Sequence, residues 1–250
     1  MEQIRKNYYG SLCTELYEIL HKEAPADELR FYFSYAEKGM KILEPLCGSG
    51  RFLVPFLKEG YDICGMDLSG EMLEKLKQKA PDARVIHADL MEYATPEKFD
   101  YIFIPSGSLS LFTDISVLKN ILRKIRGLLK QGGKFVFAVD TVASRCPDHA
   151  DYKTAVSVRT REGFDLVLKS KDFYDEASRT QFSPAIYALY DGTNLLQSEE
   201  MDFQTHLYEL GEMEQYLQET GWTQIVAYSS FDKQIAADYQ SEMLLYECSY

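Results

Sequence analysis

Between residues 41 and 140, short apolar runs alternate with stretches whose apolar side chains recur every three or four positions. The apolar runs predict β-strands at residues 42–43, 62–66, 85–88, 99–104 and 135–140. The periodic stretches predict helices at residues 52–57, 71–79 and 118–130. Ser69 is placed to cap the second of these helices, and the glycine pair at 132–133 is placed to end the third.

The flanking regions have other patterns. The first 40 residues predict helices, with Ser11 as the cap of a helix that carries its leucines on one side. Residues 150–207 alternate as strands do, and the Asp-Gly pair at 191–192 is their strongest hairpin signal, so we predict an antiparallel meander of about four strands. The remaining predicted elements are a helix at 207–220 and strands at 223–228 and 243–248.

The segment between the first strand and the first helix carries the most specific chemistry. Glu44 ends the strand, and after three further residues comes the turn Gly48-Ser49-Gly50. Glycine lets a backbone approach a ligand closely, and a helix start offers free amide groups, which predicts a nucleotide-type pocket. The dinucleotide-binding fingerprint needs a third glycine where this chain has Leu53. Glu44 suits a ligand with an ammonium group and would repel a pyrophosphate.

The pattern Glu-Pro-x-Cys-Gly-Ser-Gly at 44–50 resembles motif I of the class I S-adenosylmethionine-dependent methyltransferases. Two further acids follow strands at the family's intervals, Asp67 after the second strand and Asp89 after the third. In that family the first of these acids binds the ribose hydroxyls and the second accepts from the adenine amine. The resemblance also implies that the loop 105–108 lies beside the reactive methyl group.

The resemblance covers nearly the whole chain and implies a fold. We expect an α/β, Rossmann-like class I methyltransferase fold: a central, mostly parallel seven-stranded sheet with helices on both faces, plus a small antiparallel β insert between strand five and the last helix. The expected domains are an N-terminal helical lid (1–40), a methyltransferase domain (41–149 and 208–250) and the insert (150–207).

The insert resembles that of glycine and amino-sugar N-methyltransferases, in which such a sheet roofs the acceptor. Its aromatic side chains are therefore candidates for the acceptor pocket, and they are Tyr174, Phe182, Tyr187 and Phe203.

The resemblance further implies S-adenosyl-L-methionine as cofactor and S-adenosyl-L-homocysteine as product. The predicted cofactor-binding residues are Tyr17, Glu44, Leu46, Gly48, Gly50, Arg51, Asp67, Leu68, Met72, Asp89, Leu90, Met91, Pro105 and Ser106. Tyr32 and Arg30 are further candidates in the lid. We predict no metal ligand and name no catalytic residue; His149 follows strand five near the expected acceptor, and we interpret it as a surface histidine.

Composition narrows the function classes. The 250 residues carry a net charge of −12 without a dense basic run, which argues against a nucleic-acid acceptor. The five cysteines are scattered and form no Cys-x-x-Cys pair, which fits a reducing compartment. No signal peptide or membrane-spanning stretch is visible, so we expect a cytoplasmic protein that acts as a monomer or homodimer.

The sequence leaves open whether nitrogen or oxygen is methylated, and two other function classes compete with a methyltransferase. One is a catalytically silent S-adenosylmethionine-binding sensor or partner protein, and the other, less favoured, is a nicotinamide-dependent enzyme. The leading prediction is an enzyme that transfers a methyl group by in-line displacement to a small-molecule acceptor.

Overall fold

The computed structural model describes residues 5–237 and 240–250. Its helices are α1 (Ser11–Leu20), α2 (Ala26–Phe33), α3 (Leu53–Lys58), α4 (Gly70–Lys79), α5 (Ile115–Leu128) and α6 (Glu212–Glu219). Its strands are β1 (Arg5–Lys6), β2 (Lys41–Pro45), β3 (Asp62–Asp67), β4 (Arg84–His87), β5 (Phe99–Ile104), β6 (Leu129–Asp140), β7 (His149–Arg159), β8 (Asp165–Asp175), β9 (Thr180–Phe182), β10 (Ala185–Asp191), β11 (Asn194–Asp202), β12 (Gln204–His206), β13 (Gln224–Tyr228) and β14 (Met243–Ser249). None of the helices in these two ranges is both long and apolar enough to cross a membrane.

Seven strands form a central sheet in the order β13, β14, β6, β5, β2, β3, β4. The strands β6, β5, β2, β3 and β4 are parallel, and β14 is antiparallel to both β6 and β13. The predicted seven-stranded, mostly parallel sheet is confirmed. Because parallel strands end at one edge of a sheet, the residues that follow β2, β3, β5 and β6 meet there.

Helices cover both faces of this sheet, because successive residues of a strand point to opposite sides. Leu43 of β2 packs in a core with Leu122 of α5 and Leu217 of α6. Its neighbour Ile42 packs on the other face, in a core that contains Phe56 of α3 and residues of α2 and α4. Burial of each such side chain stabilises the fold by roughly 1.5–3 kcal/mol. The two cores therefore fix the positions of the strand ends relative to one another.

A second sheet has the order β1, β11, β10, β8, β9, β12, with β7 paired to β8. Its pairs are antiparallel except β1 with β11. The antiparallel insert is therefore confirmed, and Gly192 (φ 57°) lies in the predicted turn between β10 and β11. The insert has six strands rather than about four. One reason is Pro184, which cannot donate to a strand ladder and separates β9 from β10.

The N-terminal region is predicted to be helical over residues 1–40, and residues 1–4 of this range lie outside the described residues. From residue 5 onwards, the structure differs from the prediction in two respects. The region begins with β1, and Ser11 is the first residue of α1 instead of its cap. Gly10 is the N-cap residue, and the carboxylate of Glu199, on β11, accepts a 3.0 Å hydrogen bond from the amide of Leu12. A side chain from the insert thus supplies the cap that Ser11 does not.

The predicted lid (1–40) contributes to two separate cores. Leu12 and Leu16 of α1 pack with Leu166 and Tyr187 of the insert, whereas Phe31 of α2 packs on the central sheet. The domain boundaries proposed from the sequence stay a prediction.

Two predicted helix boundaries are wrong. α5 ends at residue 128 and β6 begins at the next residue, so Gly132 (φ 75°) and Gly133 lie inside a strand. There the register with β5 shifts, and the glycines form an irregularity of the strand instead of a helix stop. α6 begins five residues later than predicted, because the amide of Tyr208 donates to the carbonyl of Asp140 and keeps the preceding segment extended.

Candidate functional site

The turn after β2 enters the left-handed region three times in five residues. Leu46, Gly48 and Gly50 have φ angles of 57°, 52° and 81°. A Cβ atom on Gly50 would lie 2.8 Å from Cγ of Leu76, so this glycine lets the turn pack on α4. A Cβ atom on Gly48 would lie 3.8 Å from the sulfur of Met72, and both residues line the cavity described below. The turn therefore presents backbone to that cavity at Gly48.

Asp67, at the end of β3, holds this turn through its carboxylate. Its Oδ2 accepts a 2.7 Å hydrogen bond from the amide of Gly48, and its Oδ1 accepts one of 2.9 Å from the amide of Ser69. Burial raises the pKa of Asp67, and these amide donors oppose the rise. A carboxylate has about four lone-pair sites, so Asp67 can also accept from hydroxyl groups of a ligand.

Glu44, at the carboxyl end of β2, is the second acid of the site. It is 1% exposed, and its Oε2 has no hydrogen-bond partner among the residues that the structure describes. Burial raises the pKa of Glu44 well above its usual range, and the charge of Arg51 opposes this rise. Because an unpaired buried carboxylate is costly, the position fits a ligand that brings a cationic N–H donor.

Glu44, Asp67 and Gly48 of the turn line one cavity. Its volume is about 580 Å³, which is typical of small-molecule sites. Ten of the fourteen cofactor-binding residues predicted from the sequence line it, and they are Tyr17, Glu44, Leu46, Gly48, Arg51, Asp67, Leu68, Met72, Pro105 and Ser106.

The other four predicted residues do not line the cavity. Gly50 packs on α4, as described above. Asp89 is exposed, and its Oδ1 accepts a 2.8 Å hydrogen bond from the amide of Met91, while Leu90 is buried in the core beside α5. The adenine contacts predicted for these three residues stay a prediction.

Residues 5–10, which we call the strap, supply cavity residues that sequence reasoning did not place in the site. Asn7 has a φ of 50°, and its Nδ2 donates at 2.8 Å to the carbonyls of Leu111 and Gln204. The carbonyl of Tyr9 accepts a 2.6 Å hydrogen bond from Oγ of Ser69. The strap thus ties the insert to the loops after β3 and β5. The strap is too short for a periodic pattern, so the sequence held no signal for this position.

Tyr17 of α1 and His21, the C-cap residue of this helix, both line the cavity, with ring centroids 4.8 Å apart. The guanidinium carbon of Arg51 lies 5.7 Å from the Tyr17 ring centroid. Burial lowers the pKa of His21, and the charge of Arg51 adds to this effect. Arg51, Tyr17 and His21 thus lie in one part of the cavity wall. The positive charge of Arg51 makes this part suitable for an anionic group such as a carboxylate.

The alternative lid candidates lie elsewhere. Tyr32 is fully buried and stacks on Phe103 at 5.2 Å, so it belongs to the core, and neither it nor Arg30 lines the cavity.

Glu28 does not line the cavity, but it supports a residue that does, and the sequence did not reveal this role. It is 4% exposed, and its carboxylate accepts a 2.7 Å hydrogen bond from the amide of Ser106 and one of 3.0 Å from the Ser106 hydroxyl. Burial raises the pKa of Glu28, whereas the Ser106 donors and Arg51 lower it. Arg51 also donates to the Ser106 hydroxyl at 2.6 Å. Glu28 on α2 therefore fixes the loop after β5, although 78 positions separate it from Ser106.

The aromatic residues proposed as an acceptor roof do not line this cavity. Tyr187 is buried and its hydroxyl lies 3.3 Å from Sγ of Cys13, so it joins the insert to α1. Phe182 stacks on Phe173 with ring centroids 4.8 Å apart. Contact between these residues and an acceptor stays a prediction.

His149 is the first residue of β7 and does not line the cavity. Its Nε2 lies 2.9 Å from Oδ2 of Asp172. Across the described ranges, no group of three or more His, Cys, Asp and Glu side chains is arranged to hold a metal ion.

Comparison with known proteins identifies the same region of the chain, the one that contains Glu44, the glycine turn and Asp67, as the part that matches a known family. The model of a methyltransferase domain family matches residues 42–133. A Geobacillus protein that is assigned, without a stated substrate, as a methyltransferase is 24% identical, with 90% of each chain covered. The dTDP-3-amino-3,4,6-trideoxy-alpha-D-glucopyranose N,N-dimethyltransferase of Streptomyces venezuelae is 30% identical over 86 residues, or 34% of each chain.

Solved structures show the fold. An S-adenosylmethionine-dependent methyltransferase from Clostridium acetobutylicum superposes with a TM-score of 0.75 at 15% identity, covering 94% of this chain and 96% of that one. The sugar N-methyltransferase KedS8 from Streptoalloteichus gives 0.73 at 18% identity, covering 100% and 99%. The amino pentose methyltransferase CalS10 from Micromonospora echinaspora, solved with S-adenosylmethionine bound, gives 0.68 at 14% identity, covering 98% and 100%.

These findings confirm the resemblance and the fold class predicted from the sequence. The chain has the class I methyltransferase fold, and the segment 42–133 that matches the methyltransferase domain model contains Glu44, the glycine turn and Asp67. The prediction of an enzyme is confirmed by the same domain match and by the methyltransferase relatives.

Proposed function

We propose, on the premise of this methyltransferase domain, that the protein transfers a methyl group from S-adenosylmethionine to an amino group of a small molecule, as in an amino sugar. The observation that carries the proposal is the unpartnered oxygen of buried Glu44, which lines a cavity beside a glycine turn. Such an oxygen fits the α-ammonium group of the cofactor and would oppose the pyrophosphate of a nicotinamide dinucleotide.

The other cavity residues divide the cofactor among them. Asp67 would accept from the ribose hydroxyls, and Leu68, which is 50% exposed, would cover the adenine with its apolar side chain. Arg51 and Tyr17 would bind the carboxylate end. The bound cofactor supplies an activated sulfonium methyl group, so the protein's own task is to orient an acceptor and exclude water, which contributes roughly 7–11 kcal/mol in favourable cases.

Two observations favour nitrogen over oxygen as the acceptor atom. The relatives and fold neighbours described above include enzymes named for the N-methylation of amino sugars. In this chain, Glu28 places a buried carboxylate against the loop after β5. A negative charge there attracts an ammonium group, whereas a hydroxyl acceptor usually needs a strong general base.

The test compares two acceptors that differ in one group. The protein is incubated with S-adenosylmethionine and either dTDP-3-amino-3,4,6-trideoxyglucose or the analogue with a 3-hydroxyl group, and S-adenosylhomocysteine is quantified. We expect product with the amine and none above background with the hydroxyl compound. Product with the hydroxyl compound alone would contradict the choice of nitrogen.

A binding measurement separates the remaining alternatives. Calorimetric titration with S-adenosylhomocysteine should show binding, and titration with NADH should show none. Binding without turnover of a wider amine panel would indicate the silent sensor or partner protein. Failure to bind S-adenosylhomocysteine would contradict the cofactor assignment itself.

A further inference from the structure

Asp140 stands at the carboxyl end of β6, beside the loop that follows β5. Its backbone is fixed on three sides. The amide donates a 2.8 Å hydrogen bond to Oγ of buried Ser110, the carbonyl accepts one of 2.9 Å from the amide of Tyr208, and the residue pairs with Met243 of β14. The position of the side chain is therefore set by the fold.

The carboxylate of Asp140 lies against the backbone of Gly107. A Cβ atom at position 107 would come within 2.5 Å of Oδ1 of Asp140, so this contact requires glycine, which has a φ of 68° here. The residues on either side of Gly107, Ser106 and Ser108, line the cofactor cavity. Asp140 does not itself line the cofactor cavity, but it adjoins a loop that does, and the family resemblance implies that this loop lies beside the transferred methyl group.

The carboxylate is held in place without being paired. Within residues 5–237 and 240–250, no donor to the Asp140 carboxylate meets hydrogen-bond geometry, although the residue is mostly buried. Asp67 differs, because two backbone amides donate to it. Asp67 is thus fixed as an acceptor, whereas the lone pairs of Asp140 stay available.

Two titratable groups face Asp140 from other elements. Glu28 of α2 adds negative charge, and Tyr208 lies in the segment before α6. Burial and the charge of Glu28 raise the pKa of Asp140 to about 7. A carboxyl group with this pKa can both accept and release a proton near neutral pH, which a carboxyl group of ordinary pKa does poorly.

We propose that Asp140 accepts the proton that an amine acceptor must lose before it is methylated, an assignment that rests on the proposed function. The N–H bond of the ammonium group breaks, its electron pair stays on nitrogen, and the proton bonds to a carboxylate oxygen of Asp140. Nitrogen then has the lone pair that forms the new bond to carbon. The carboxyl group releases its proton to water, so the step needs no oxidant or reductant.

Proton affinity makes this assignment selective for amines. An α-amino group has a pKa of about 8. Transfer of its proton to a carboxylate with a pKa about one unit lower is therefore only slightly unfavourable. An aliphatic hydroxyl group holds its proton far too tightly for the same carboxylate. Asp140 would therefore admit protonated amines as the substrate class and leave alcohols unactivated.

The test replaces Asp140 with asparagine, which keeps the shape and removes the base. For dTDP-3-amino-3,4,6-trideoxyglucose, we expect Asp140→Asn to lower kcat/KM about a hundredfold at pH 7, the usual worth of a general base. Above pH 7, the ratio of wild-type to variant kcat/KM should fall about tenfold per pH unit, until most of the acceptor is present as the free amine. The matched control is Asp191→Asn, which changes an exposed aspartate at the end of β10 and should behave as wild type. A wild-type pH profile in Asp140→Asn would overturn the assignment.

A second measurement does not depend on turnover. In wild-type protein labelled with carboxyl-¹³C aspartate, the signal that is missing from Asp140→Asn should titrate near pH 7. If that signal stays in the ionised position down to pH 5, Asp140 cannot take the proton at neutral pH and the inference is wrong. If wild type binds S-adenosylhomocysteine but methylates no amine, the proposed function fails, and this titration still decides the acid–base behaviour of Asp140.

Discussion

The replacement of Asp67 by asparagine tests whether the end of β3 binds the cofactor. Asp67 is one of two aspartates on this strand; Asp62 stands at the opposite end and is exposed. Asp67→Asn and Asp62→Asn therefore make the same chemical change on the same strand, one inside the cavity and one outside it. A difference between them reports on position rather than on the loss of a charge.

The expected magnitude follows from the hydrogen bonds of Asp67. Its two oxygens accept from the amides of Gly48 and Ser69, and asparagine can accept from only one of these. A hydrogen bond to a charged group is worth roughly 1.5–3 kcal/mol, and relief of the buried charge offsets part of its loss. We expect Asp67→Asn to lower the free energy of unfolding by about 1–2 kcal/mol. The ribose hydroxyls lose a charged acceptor as well, so affinity for S-adenosylhomocysteine should fall about ten- to a hundredfold.

Calorimetric titration with S-adenosylhomocysteine and urea unfolding measure the two effects on the same samples. Titration is done well below the melting temperature of each variant, so that unfolded protein does not mimic weak binding. Asp62→Asn should bind within about threefold of wild type, under 1 kcal/mol. If Asp67→Asn also binds within this range, its carboxylate does not contact the cofactor and the assignment of the cavity is refuted.

Three further predictions concern how the fold supports the site. Gly50→Ala should destabilise the protein by about 1–3 kcal/mol more than Gly39→Ala in urea unfolding, because both glycines have positive φ but a Cβ atom fits only at position 39; equal effects would show that packing on α4 is unimportant. Glu199→Ala should cost α1 about 0.5–2 kcal/mol and speed amide exchange in its first turn, and unchanged exchange would contradict the capping role. Burial alone would raise the pKa of Glu212, but the hydrogen bond to His206 and further donors lower it to about 2. Its stabilisation, about 3 kcal/mol, should be present above pH 4.5 and vanish as the pH falls towards 2, so wild type and Glu212→Gln should converge there in urea unfolding.

The parts of the molecule that the sequence predicts well have local causes. The strands of the central sheet are short apolar runs, and the glycine turn lies directly between one of them and its helix, so the pattern placed Glu44, Gly48 and Asp67 at strand ends and in the turn. The family resemblance then assigned these residues to the cofactor site. The order of the strands came from the family resemblance.

The parts that the sequence missed depend on contacts between distant positions. Asn7 meets Gln204 across 197 positions, and Glu28 meets Ser106 across 78. Neither residue interrupts or extends a periodic pattern, so nothing in the chain marks it. Asp140 was read as the last residue of a strand, and its contact with Gly107 follows only when β5 and β6 are adjacent.

The distribution of acids in the site also bears on the choice between nitrogen and oxygen. Glu44 and Asp67 would touch remote parts of the cofactor, so they would stabilise its bound form before and during the reaction about equally and contribute to affinity rather than to rate. When an amine is methylated, positive charge passes from the sulfur to the nitrogen. A carboxylate near the nitrogen, such as Glu28 against the loop after β5, would favour that movement of charge, and Asp140 would do so once it has released its proton to water. A hydroxyl acceptor would have to lose its proton to react, and the same carboxylates would repel the resulting oxyanion, so this arrangement of charges favours an amine.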